Sequence, residues 1–371
     1  MSRTLGIITF HHAQNYGAVL QAYALQKSIF NLGHKCYIID YRSSLIGNAE
    51  KLFCFDFTRN GIRQILRTLV NLSDNLRSRK RFSKFRESKL NLTSKRYRSI
   101  DELADSRAIF YSYICGSDQV WNPNLLDSYS YFPYFCSFVK DERKISYAPS
   151  FGSIEKLPSY QDEVSSLLSR FDFLSAREEA GCHLINSCSG RRAIHALDPT
   201  LLLEKSDLDI IAAMPQCPRR YILLYPMARP TELCKIAQSM RNRFKLPLIA
   251  ILPIYHSPTA FRFADKIIYD AGPAEFLGWI KAADYICSNS YHGISLSIAF
   301  HKNFVATADS GSNIRSQSLL RRLGLQTRQV LDATGLQNDY IFYNNINYDH
   351  VGVSLRSARD ESLEYLRAAM R

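Results

Sequence analysis

The sequence has no C-x-x-C pair, no long apolar run and too few acids for its bases. Its nine cysteines (Cys36, Cys54, Cys115, Cys136, Cys182, Cys188, Cys217, Cys234 and Cys287) are scattered, and some stand inside apolar runs such as Tyr285-Ile286-Cys287. That pattern argues for buried thiols in a reducing compartment and against a disulfide frame or a zinc site. No apolar run approaches the 18 or so residues that span a bilayer. Leu5 to Phe10 is too short for a secretion leader and meets His11, His12, Gln14 and Asn15 at once. The expectation is a soluble, cytoplasmic protein. Also missing are G-x-G-x-x-G after the first strand and G-x-x-x-x-G-K-[ST] anywhere, which disfavours a dinucleotide dehydrogenase and a P-loop kinase. The absence of G-x-S-x-G, H-E-x-x-H and H-R-D sets aside the common hydrolase, metalloprotease and kinase readings.

What is present is a folded, basic chain. Its 371 residues suit two domains better than one core. The net charge is +13, and much of it lies between Arg77 and Arg98, where Arg77, Arg79, Lys80, Arg81, Lys84, Arg86, Lys89, Lys95, Arg96 and Arg98 face the single acid Glu87. A solvated helix face, a nucleic-acid footprint and a patch on anionic lipid all fit such a stretch. Nucleic acid is disfavoured, because no recognition motif accompanies the charge. Peripheral contact with the inner face of the membrane stays open.

Strand and helix periods alternate along the chain. Leu5 to Phe10, Cys36 to Asp40, Ala108 to Cys115 and Lys144 to Tyr147 read as strands, with Gly17 to Leu32 and Gln161 to Arg170 as helices. A second set runs from Tyr221 through the strands Leu248 to Leu252, Tyr285 to Ser288 and Asn303 to Ala306. Asp207 to Arg219 reads as a linker, and an amphipathic helix over Ser357 to Met370 is expected to pack back across the first domain. The reading is α/β: two Rossmann-like domains, 1–205 and 206–371, facing across a cleft, with ligands at the carboxyl ends of the strands.

Six segments then occur in order. They are Gly6 through Asn15-Tyr16-Gly17 to Gln26, Gly116-Ser117-Asp118-Gln119-Val120-Trp121-Asn122-Pro123, Ser146-Tyr147-Ala148-Pro149-Ser150-Phe151-Gly152, Ser175-Ala176-Arg177-Glu178, Asp198-Pro199-Thr200, and Ser288-Asn289-Ser290-Tyr291-His292-Gly293. As a set they resemble the polysaccharide pyruvyl transferase family over nearly the whole chain, with Phe53 to Arg98 the least characteristic part. The resemblance implies an architecture similar to the GT-B glycosyltransferases. It also implies phosphoenolpyruvate as co-substrate and, as acceptor, a sugar with two nearby hydroxyls on an undecaprenyl-linked glycan; no metal or other cofactor is expected, since His11 and His12, which suggest a polar pocket beside Asn15, have no third ligand in the sequence.

That chemistry needs cations and backbone donors for an anion charged at both ends, an acid for its methylene carbon, and a base for the attacking hydroxyls. His292 is the candidate acid or phosphate ligand, with a simple helix cap as the bland reading. Ser288, Ser290 and Gly293 are candidate donor-site neighbours. Arg177 and Arg315 are candidates to grip carboxylate or phosphate. Asp118, on the acceptor side, is the candidate base, or else a turn residue bonding its own backbone. His11, Asn15, Tyr16, Gln119 and Trp121 are candidate acceptor contacts. Asp198 reads as a turn between domains rather than a catalyst. Two rivals are a nucleotide-sugar-dependent GT-B glycosyltransferase and a non-catalytic scaffold.

Overall fold

The computed structural model describes residues 4–42, 72–105, 109–125, 131–154, 161–227, 231–252, 258–307, 314–332 and 344–371. The chain forms two compact units, one of residues 1–50, 86–203 and 353–371, the other of 51–85 and 204–352. Each is built on its own parallel sheet.

Unit 1 begins β1 (Thr4–Ile8), α1 (Tyr16–Asn31), β2 (Lys35–Tyr41). A second helix, α2 (Leu72–Lys89), starts within unit 2 and leads into β3 (Leu92–Tyr97). Then come α3 (Ile100–Ala104), β4 (Ser112–Cys115), β5 (Arg143–Ser146), α4 (Gln161–Ser169), β6 (Ser175–Ala176), α5 (Glu179–Ser189) and β7 (Ile194–His195). The five-stranded sheet runs β3-β2-β1-β4-β5, all parallel, and β6 pairs with β7 beside it. A parallel sheet covered on both faces needs strands apolar on both sides. β1 and β4 comply: Leu5, Ile7, Ile8, Tyr113, Ile114 and Cys115 are all inaccessible.

Unit 2 holds α6 (Lys205–Ile211), β8 (Ile222–Tyr225), α7 (Thr231–Phe244), β9 (Leu248–Ile251), β10 (Lys266–Ile268), α8 (Pro273–Ala282), β11 (Tyr285–Ser288), α9 (Tyr291–Ala299), β12 (Asn303–Thr307), α10 (Ile314–Arg322) and β13 (Gln329–Val330). Its sheet order is β10-β9-β8-β11-β12-β13, again parallel. The last helix, α11 (Tyr348–Met370), is longer than the periodicity suggests. Its final turns return to unit 1, where the Tyr365 hydroxyl donates to the Ser146 carbonyl and Ser362 accepts from the Leu197 amide.

The expected linker over 207–219 is only partly one. Glu204 and Asp207 form a capping box, and Leu208 and Ile211 are buried, so this stretch opens as a helix of unit 2. The loop after it presses on α8: a Cβ on Gly278 would lie 1.8 Å from the Ala213 carbonyl oxygen, an approach only glycine permits.

The basic stretch is a helix followed by a strand rather than one uniform face. Arg77 pairs with Asp74 and Asp270, and Arg81 with Asp270 and Glu275. Lys95 pairs with Asp105, and Arg96 with Asp40. Sequence spacing hides these partners because most come from distant segments. Lys80, Lys84 and Lys89 remain exposed on α2. Among the described residues no helix is long and apolar enough to cross a membrane.

Candidate functional site

Four of the sequence segments converge at the carboxyl edge of the unit 1 sheet, on one buried guanidinium. Arg177 lies between β6 and α5, its side chain wholly enclosed. It contacts Asp198 at 3.0 Å, Glu178 at 3.2 Å and Asp118 at 4.0 Å. Asp198 in turn accepts from Ser117 Oγ, Thr200 Oγ1 and the Thr200 amide. Asp198 is therefore an interior anchor of unit 1 and not a turn between domains. Arg177 therefore has its counter-charge within unit 1, in these three carboxylates.

The strand tips are tied by backbone. The Ser150 amide donates to the Asp118 carbonyl, the Trp121 amide to the Ser150 carbonyl, and the Arg177 amide to the Pro149 carbonyl. Ser146 and Ser175 exchange bonds through both hydroxyls. Two non-glycine residues at these tips have left-handed backbone, Asp118 at φ 78° and Ala148 at φ 50°. Strained residues held by surrounding bonds cluster at functional sites. Asp118 is also the most open of the three carboxylates, its side chain 11% exposed against 2% for Glu178 and 0% for Asp198. Its Oδ1 accepts from the Gln119 amide. The turn reading and the base reading thus describe the same side chain.

The acceptor candidates separate. Trp121 is corrected outright: it is inaccessible, stacks on Phe135 at 4.7 Å and donates its indole N–H to the Tyr134 carbonyl, so no ring face is left for a sugar. Gln119 is half-buried, and its Oε1 accepts from Asn122. Asn15 caps α1, its Oδ1 accepting from the Ala18 amide, and Tyr16 is the first, buried residue of that helix. His11 is inaccessible and spent on structure, with Nδ1 against the Thr9 carbonyl and Nε2 3.1 Å from Asp40 Oδ1. Asp40 also meets Arg42 at 2.7 Å and Arg96 at 3.3 Å. Burial alone would raise the Asp40 carboxyl, but bonds from His11 and Arg42 outweigh it and hold it far below the usual range. One residue escaped the sequence reading: Glu178, legible only as the acid beside Arg177.

Unit 2 contributes the segment Ser288 to Gly293 at the carboxyl end of β11. Helix α9 begins at Tyr291, with Ser290 as N-cap accepting from the Gly293 amide. Ser288 Oγ donates to the Tyr225 carbonyl and accepts from the Ser290 amide. Ser288 thus spends its hydroxyl proton on the turn, whereas Ser290 serves it as an acceptor and keeps its own to donate. His292 occupies the second helical position and is 8% exposed. Such a terminus concentrates amide donors and positive potential. Arg315, half-buried, is the second residue of α10, after the neighbouring strand β12. The Gly311-Ser312-Asn313 loop before it lies outside the described residues.

Gly293 holds this turn together. A Cβ there would come within 2.4 Å of Ser288 Oγ and 3.0 Å of Tyr225 Cδ1. Gly→Ala inside a helix normally stabilises by about 1 kcal/mol. Gly293→Ala is expected to lower the thermal midpoint instead, because Ser288 must leave its bond to Tyr225; a melting curve checks the sign.

Solved structures similar to this chain include two UDP-N-acetylglucosamine 2-epimerases. The UDP-GlcNAc 2-epimerase of Neisseria meningitidis, solved with UDP-GlcNAc, superposes with a TM-score of 0.53 at 10% identity, covering 98% of this chain and 99% of that one. A candidate UDP-N-acetylglucosamine 2-epimerase from Listeria monocytogenes gives 0.56 at 7% identity, covering 99% and 96%. At such identities the likeness is one of fold, and with the two parallel sheets it establishes the expected α/β class of two Rossmann-like domains, as in GT-B enzymes. No curated protein matches the chain. The family model for polysaccharide pyruvyl transferase matches residues 15–311. That span holds five of the six segments whole and the end of the first, and the chain therefore belongs to the polysaccharide pyruvyl transferase family.

Proposed function

We propose that the protein transfers the three carbons of phosphoenolpyruvate, as a pyruvate ketal, to a sugar of a lipid-linked surface-polysaccharide precursor. The family match over 15–311 carries this reading. In the proposed reaction the methylene carbon of the donor gains a proton and one sugar hydroxyl adds to the adjacent carbon. Phosphate leaves from that carbon and a second hydroxyl closes the ketal. The two hydroxyl protons balance the new methyl hydrogen and the phosphate proton.

The roles proposed follow the chemistry of each unit. Asp118 takes a hydroxyl proton, with Arg177, Glu178 and Asp198 as positioning residues that fix the strand tip bearing it. His292 supplies the proton or binds phosphate at the head of α9, with Arg315 as the accompanying cation. The second reading, a nucleotide-sugar glycosyltransferase, draws on the fold shared with an enzyme solved with UDP-GlcNAc.

Thermal stability separates the two. A ligand that binds only the folded state at 100 times its Kd adds about 2.7 kcal/mol. A midpoint raised by phosphoenolpyruvate and unmoved by UDP-GlcNAc is the expected result. A response to the nucleotide sugar alone would overturn the donor assignment.

A further inference from the structure

We infer that His12, rather than His11, is the histidine of unit 1 that binds the acceptor, holding a sugar hydroxyl through its imidazole. This rests on the pyruvyl-transfer reading. His12 is only 3% exposed, yet among the described residues neither of its ring nitrogens has a hydrogen-bond partner. A buried polar group left unmet carries its full desolvation penalty.

The loop around it is not slack. Gln21 Nε2 bonds Thr9 Oγ1 and the Phe10 carbonyl, His11 is fixed to Asp40, and Arg86 donates to the His12 carbonyl at 2.8 Å. The fold thus anchors the backbone on both sides of an imidazole that it leaves unsatisfied. The place is the carboxyl edge of a parallel sheet, just before the head of α1, where ligands of such sheets bind. Ala13, Gln14 and Asn15, which follow, are only partly buried.

The chemistry selects the ligand class. Burial first, then the charges of His11, Arg42 and Arg86, push the His12 imidazole down to about 3 against the pull of Asp40, so it is neutral at working pH. A neutral imidazole offers one donor and one acceptor, and a hydroxyl offers the same pair in reverse. An anion would find one acceptor nitrogen opposing it. The match is to an uncharged diol.

The test uses the full-length protein, histidine-labelled with nitrogen-15, and methyl glycosides of glucose, galactose, mannose and N-acetylmannosamine as probes. With at least one glycoside, the His12 ring nitrogens are expected to shift. His12→Leu is expected to raise the acceptor KM about tenfold or more, one lost hydrogen bond, with the KM for phosphoenolpyruvate within twofold. The same variant is expected to melt higher than wild type, because it removes two unmet groups. His12→Gln, which keeps a donor and an acceptor, should recover part of the acceptor KM. A higher melting point with unchanged acceptor KM, or ring nitrogens that respond to no glycoside, would overturn the assignment. Failure of the transfer reading is recognised separately, as a wild-type midpoint that phosphoenolpyruvate does not move.

Discussion

Asp118→Asn is expected to leave the protein folded and to lower turnover by a factor of about 10²–10⁴, the range over which a positioned base contributes. Asparagine is among the few residues that accept left-handed backbone, so the φ of 78° costs little in the variant. Its side-chain oxygen can still accept from the Gln119 amide. The carbonyl that receives the Ser150 amide is untouched. What disappears is the negative charge and the capacity to take a proton, while Glu178 and Asp198 still balance Arg177. Phosphate release from phosphoenolpyruvate in the presence of acceptor, read beside a melting curve, checks both halves. Near-normal turnover would reduce Asp118 to a turn residue. Asp118→Ala is the informative contrast: it loses the charge and also meets the strain, so activity and midpoint should fall together.

The sequence made the α/β alternation legible because apolar periodicity survives wherever a strand or helix is buried on a defined face. Tyr285–Ser288 appears with the bounds the pattern suggests. The stretch after Glu204 was less legible, since a short capped helix with only Leu208 and Ile211 buried scarcely differs from a polar linker. Which segments of a unit join which sheet is also hidden. The apolar face of α2 asks for a partner without naming it, and in the structure Ser78 and Arg81 of that helix bond the carbonyls of Ala271 and Asp270.

At the candidate site the sequence located the loops and misread several side chains in them. Asp118 and His292 stand at the carboxyl ends of their sheets, as the strand–loop–helix order requires. Trp121 could not be distinguished from a stacking platform, because the aromatic rings that enclose it, Phe135, Phe151 and Phe171, come from three other segments. His11 and His12 differ only in what faces them, and Asp40, the residue that decides, lies 28 positions beyond His12. Arg177 looked like an anion grip for a similar reason: arginine carries the same charge whether it meets a ligand or three carboxylates of its own fold.

Arg177→Met should accordingly be the most damaging single change in unit 1, destabilising by about 3–5 kcal/mol, the loss seen when one partner of a buried ion pair is removed. Methionine fills much of the space but leaves Asp198 and Glu178 inside the protein without their cation. Those carboxylates would then stay buried only by taking up protons. The sign follows: groups that hold protons more tightly folded than unfolded add stability in acid and lose it as pH rises. The variant should therefore be least unstable near pH 5 and weaken towards pH 8. Asp40 works in the opposite sense in either protein, since its carboxyl is held low and its contribution is lost only as pH falls through the acid range. Arg177→Lys keeps the charge but not the planar fork that reaches Asp198 and Glu178 together, so it should fall between methionine and wild type. Urea midpoints at pH 5 and pH 8 for the three proteins give the comparison. A methionine variant as stable as wild type at pH 8 would mean that the guanidinium does not hold this cluster, and the role of donor ligand would return to Arg177.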